Sequence, residues 1–238
     1  MALNGVTFGT KHSYNDWGLI LASRPVISPP KPKTNYVDIP AADGSLDLSE
    51  SLTGEIAFED RQIKCDFNVI DSRSRWSNIY SDILDYLHGQ KMKITFDEDS
   101  TYYYYGRLSV NEWKSSQKTA KIVIEGTVEP YKMETFSSLE DWEWDPFNFE
   151  TGIIRDYGNM RVDDELEFTI EGGRKSVVPA FMVVSDDGSG LNVRYNGVTY
   201  TLPDGNNRVL NIQLHAGTNK LYFTGNGTVS IDYRGGRL

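Results

Sequence analysis

The chain is poor in what catalytic and metal centres are built from. It has one cysteine, Cys65, so no disulfide can form within it. Its three histidines, His12, His88 and His215, lie too far apart in sequence for a two-ligand motif, and one thiol does not complete a zinc set. There is no Gly-rich phosphate loop, nucleophile elbow or His-Glu-x-x-His pattern. The acidic runs Asp97-Glu98-Asp99, Asp163-Asp164-Glu165 and Asp186-Asp187-Gly188 lack the alternating spacing of a calcium loop and read as solvated turns. No catalytic residue, metal or cofactor is therefore expected. No apolar run approaches the roughly 20 residues of a membrane span, so no membrane insertion is expected. The opening MALNGVTFGTKHS has no apolar signal core, and the expectation is a protein made in the cytoplasm without a secretory signal. Basic residues are also scarce, 24 against 34 acidic, for a net charge of −10. That balance argues against gripping nucleic-acid phosphates, which takes a basic face.

What is present is β pattern around one helix. In Asp71–Gly89, apolar residues fall at Trp76, Ile79, Tyr80, Ile83, Leu84 and Leu87, an i, i+3, i+4, i+7 stripe. The spacing predicts a helix over 71–88, capped by Asp71 or Ser72 and stopped at Gly89. Flanking segments alternate: Ile63, Cys65, Phe67 and Val69 on one side of the helix, Met92, Ile94 and Phe96 on the other. The reading is a sheet with one helix laid on it. Cys65 then serves as a small core residue. Residues 3–22 read as short strands. Residues 24–35, RPVISPPKPKTN, hold four prolines and read as extended chain. The next stretch, Tyr36–Phe58, has turn signals at Asp43-Gly44 and Thr53-Gly54 but little apolar bulk. An extended hairpin of that kind suits an arm that reaches a neighbouring copy. Tyr36, Ile39, Leu46, Leu48, Leu52, Ile56 and Phe58 are its candidate interface residues.

A hairpin over Tyr102–Val128 follows, and Pro130 ends the N-terminal domain. Ser137–Glu150, SSLEDWEWDPFNFE, is a composition break read as a junction. Its Trp142 and Trp144 are candidates for stacking on a sugar or a partner. Beyond it, short alternating segments with Asn196-Gly197 and Asn226-Gly227 read as hairpins of a jelly-roll-like antiparallel sandwich. The fold class is thus mainly β with one helix, in two domains, 1–136 and 137–238.

Several stretches together resemble the distal tail protein (Dit) family of long-tailed phages and prophages. They are GVTFGTKHSYNDWGLIL at the start, DIPAADGSLDLSESLTG followed by AFEDRQIKCDFNV, then DWEWDPFNFETG, and YRGGRL at the end. Their order and spacing carry the resemblance across essentially the whole chain. It implies a structural, non-enzymatic protein of the virion tail tip. The N-terminal domain would form a homohexameric ring and its channel, each arm wrapping the adjacent subunit. The C-terminal domain would be a galectin-like sandwich. The implied partners are other copies of the chain, the tail tube protein, the tail-associated hub protein and the receptor-binding protein. DNA would pass through the channel without specific binding. The alternative is a carbohydrate-binding module that recognises the host surface through the C-terminal sandwich.

Overall fold

The computed structural model describes residues 5–116, 118–140 and 157–238. Trp142 and Trp144, and most of the acidic-aromatic junction, lie outside them. The chain divides into two compact units, Met1–Lys132 and Met133–Arg237; the sequence reading places the division at 136/137. The architecture is mainly β with one long helix, as the alternation and the single stripe imply.

In the first unit the strands are β1 (Val6–Phe8), β2 (Lys11–His12), β3 (Leu19–Leu21), β4 (Val26–Ile27), β5 (Tyr36–Asp38), β6 (Ser45–Asp47), β7 (Arg61–Val69), β8 (Lys91–Phe96), β9 (Tyr102–Ser115) and β10 (Ala120–Val128). An antiparallel sheet runs β2-β1-β8-β9-β10-β7-β3, with β4 also on β7. The nine residues of β7 pair one-to-one with β10, from Arg61↔Val128 to Val69↔Ala120. Strict alternation along β7 buries Ile63, Cys65, Phe67 and Val69. These side chains join Phe8, Ile94, Leu108, Ile122 and Ile124 in one core.

The helix α2 (Trp76–Leu87) closes that core with Trp76, Ile79, Ile83 and Leu87 buried. It begins later than the predicted 71. Residues 73–75 form a tight 3-10 turn, and no side chain caps α2. Asp71 is occupied locally: its carboxylate pairs with Arg75 at 2.8 Å, and its carbonyl accepts the Trp76 indole N–H at 2.8 Å. Gly89, at φ 76°, ends the helix in the left-handed region that favours glycine. The expectation of strands alone over 3–22 is corrected at one place. A short helix α1 (Ser13–Trp17) intervenes, with the His12 imidazole accepting the Tyr14 and Asn15 N–H groups. Five residues are too few for an apolar period to be visible.

In the second unit the strands are β11 (Lys132–Glu134, begun at the end of the first), β12 (Met160–Gly172), β13 (Ala180–Ser185), β14 (Leu191–Tyr195), β15 (Val198–Leu202), β16 (Gly205–Asn207), β17 (Gly217–Asp232) and β18 (Gly236–Arg237). An antiparallel sheet runs β15-β14-β17-β13-β16, with β12 on β17. The β14–β15 turn is the expected one, with Asn196 and Gly197 at φ 49° and 81°. The expected hairpin at Asn226-Gly227 is not formed: β17 runs straight through both residues for 16 positions. Gly225, at φ 117°, faces Asp164, at φ 61°, across the β12–β17 ladder, so both strands deviate together. A β-carbon on Gly227 would stand 2.5 Å from the Val184 carbonyl oxygen, so that glycine serves the approach of β13.

Candidate oligomerisation arm

The arm leaves the first sheet at β4 and returns at β7. Its root is a paired ribbon. Ser28 N–H donates to the Gln62 carbonyl at 3.0 Å, Glu59 N–H to Lys31 at 2.8 Å, and Lys33 N–H to Ala57 at 2.8 Å. Pro29, Pro30 and Pro32 fix φ along the outgoing strand, and Phe58 meets Tyr131 edge-on at 6.0 Å. Beyond the root, β5 and β6 form a separate two-stranded sheet with Val37↔Leu46 at its centre. Its hydrogen bonds close within the arm: Asn35 N–H to Ser49 Oγ at 2.8 Å, Leu48 N–H to the Asn35 carbonyl at 2.8 Å, and Ser45 Oγ to Asp38 at 2.5 Å.

The register sorts the ribbon into two faces. Tyr36, Asp38, Ser45 and Asp47 share one; Val37, Ile39, Leu46 and Leu48 share the other. The apolar face is open: Val37 is 42%, Ile39 48% and Leu46 49% exposed, and Leu52 further along is 97% exposed. Tyr36, at 59%, is exposed on the polar face. Leu48, Ile56 and Phe58 are half-buried. Of the sequence-derived interface residues, the structure therefore gathers Ile39, Leu46 and Leu48 on one face, and leaves Ile56 and Phe58 at the root. Val37, the cross-strand partner of Leu46, is absent from that set; the alternation V37-x-I39 carried the signal.

The arm is also strongly acidic. Residues 34–60 carry Asp38, Asp43, Asp47, Glu50, Glu55, Glu59 and Asp60 and no lysine or arginine. Asp47 is held below its ordinary value, first by the Ser49 hydroxyl that donates to it, then by the Ser49 N–H. A two-stranded ribbon is marginal by itself in water, and one with an uncovered apolar face gains stability by covering it.

The other concavities are less specific. A groove on the open side of the first sheet is lined by Gln62, Lys91, Arg107, Glu125 and Thr127. Of its charges, Glu125 lies 3.4 Å from Lys64 and Lys91 lies 3.7 Å from Glu129, while Arg107 donates to the Gly89 carbonyl. The tyrosine run of β9 is used in place. Tyr104 is buried, while Tyr103 and Tyr105 lie under Lys93 and Lys91 at 4.5 and 4.8 Å. A groove of the second unit is lined by Glu165, Glu167, Arg194, Thr199 and Tyr222, with the Arg194 guanidinium over the Tyr222 ring at 4.9 Å. Among the described residues, no three His, Cys, Asp or Glu side chains converge as metal ligands.

Comparison with protein-family models finds no match, and comparison with curated proteins finds none. Comparison with solved structures does. The SPP1 Dit (gp 19.1) protein superposes with a TM-score of 0.65 over 99% of both chains, at 11% identity. The fold is that of a distal tail protein. That crystal structure is described as a paradigm of the hub adsorption apparatus in phages that infect Gram-positive bacteria. At this identity the likeness is one of fold.

Proposed function

We propose that this chain is a structural, non-enzymatic distal tail protein of a long-tailed phage or prophage. Its place is the virion tail tip, as part of the baseplate. In this reading six copies close into a ring, built from the first unit. The second unit forms a galectin-like sandwich displayed outward. The ring joins the tail tube protein to the tail-associated hub protein and holds the receptor-binding protein. DNA passes through its channel, and a chain of net charge −10 suits a wall that does not hold phosphates.

The observation that carries this reading is the Dit fold along 99% of the chain. The arm supports it. A ring needs heterologous contacts that close, and an exposed amphipathic ribbon supplies one half of such a contact. Tyr36, Ile39, Leu46, Leu48, Leu52, Ile56 and Phe58, with Val37, are the proposed contact residues. The test is antibody labelling of intact particles that encode the protein. Decoration of the tail tip supports the assignment, and absence from purified particles refutes it. A second reading, sugar binding by the second unit, draws on the hydrogen-bonding groove around Tyr222. A glycan array with the full chain decides it; specific binding lost in Tyr222→Ala would favour the groove, and loss in Trp142→Ala or Trp144→Ala would favour the tryptophans.

A further inference from the structure

The surface that receives the arm is identifiable from charge and topology. The β9–β10 hairpin ends in Lys114, Lys118 and Lys121, and the register sets Lys114 directly opposite Lys121. Like charges facing across a ladder repel, so the monomer gains nothing from this arrangement. Glu112 pairs with Lys114, which remains 72% exposed; among the described residues no carboxylate pairs with Lys118 or Lys121. Trp113 is half-buried beside Tyr80, with ring centroids 4.8 Å apart, and lines a shallow hollow with Lys114, Ser116 and Lys121. Ile70, just past β7 at the same end of the sheet, is 53% exposed. This end is therefore basic with apolar patches, in a chain whose arm is acidic with an apolar face.

Register also decides whose arm can reach it. The hairpin tip lies at the Val69↔Ala120 end of the β7–β10 ladder, while the arm departs beyond the Arg61↔Val128 end. At about 3.4 Å per residue, those ends are roughly 27 Å apart. The root ribbon continues past Arg61, away from the tip. A chain thus carries the arm and its complement at opposite ends of one sheet.

We propose that the acidic arm of one copy docks on Lys114, Lys118 and Lys121 of the β9–β10 hairpin of the next. The inference rests on the ring reading above. Such a contact is head-to-tail, the kind that closes into a ring when the rotation permits. Its on-rate and register depend on charge, so association weakens as salt rises past the range in which screening shortens to a few ångström.

The experiment is charge exchange in the full chain, read by sedimentation against concentration. Reversal of Lys114, Lys118 and Lys121 to Glu is expected to raise the concentration for assembly at least tenfold. Adding Asp38→Lys, Asp43→Lys and Asp47→Lys to the same chain should recover it. As a check independent of folding effects, Ser45→Cys on the arm and Ser116→Cys at the tip should give a disulfide between copies when the two single variants are mixed and oxidised. If deleting residues 36–58 abolishes assembly while the lysine reversals change nothing and no cross-link forms, the arm docks elsewhere and this inference falls alone. A chain that stays monomeric at every concentration overturns the ring reading together with it.

Discussion

Gly227 and Ile83 are the residues whose replacement tests the two cores most sharply. A methyl on Gly227 meets the Val184 carbonyl oxygen at 2.5 Å, between two backbones with little room to give. Gly227→Ala should cost about 1–3 kcal/mol, the usual range for overpacking, and a urea midpoint equal to the parent's would contradict the close approach. Ile83 is fully buried at the centre of the helix stripe. Ile83→Ala should cost about 2–5 kcal/mol through the cavity it leaves; an unchanged melting curve would refute its burial. Burial pushes the Cys65 thiol up to about 12, with the neighbouring Asp66 carboxylate adding to the shift. Because that lies above the ordinary 9.0, the thiol leaves stability unchanged below pH 9 and erodes it as pH rises toward 12. It should resist thiol reagents at pH 8 until denaturant is added, and prompt labelling of the native chain would show the site is open. Arg61, only 6% exposed with its guanidinium over the Tyr104 ring, was not foreseeable from sequence. An arginine that opens a strand looks the same on paper whether it faces water or a tyrosine.

Among the elements, those with a strong local period were legible. The α2 stripe and the β7 alternation are visible because burial on one face imposes 3.6- and 2-residue spacing. The Asn196-Gly197 hairpin was legible because both positions need positive φ. Asn226-Gly227 carries the same letters and misleads, since Gly225, Asp164 and the approach of β13 decide the path there, and these are distant in sequence. Within Tyr36–Phe58 the turn at Asp43-Gly44 was legible, and it lies between β5 and β6 with Gly44 at φ 75°. The sorting of Val37, Ile39, Leu46 and Leu48 onto one open face was not, because it depends on the Val37↔Leu46 register. The β5–β6 ribbon closes its hydrogen bonds within the arm, while Ala57 and Phe58 tie the root to Lys33 and Tyr131, so deleting residues 36–58 loosens the root but should leave the two cores folded. Circular dichroism and melting near the parent's, with loss of any assembly, are the expected outcome; a chain that no longer folds would mean the arm supports its own body.

For the whole molecule, the sequence resemblance and the fold agree although only 11% of residues coincide with SPP1 Dit over the superposed chains. What is shared at that distance is the overall fold, which is the level at which packing constrains a chain. The proposed role asks for a protein that holds others in place, and the open ribbon and the acidic balance suit it. The central claim is that copies of this chain clasp one another into a closed ring through that ribbon. The most direct test is native mass spectrometry or light scattering over a range of concentrations. The account predicts a species of six 26.9 kDa chains that disappears when residues 36–58 are removed. A monomer at every concentration, or a hexamer that survives the deletion, would contradict it.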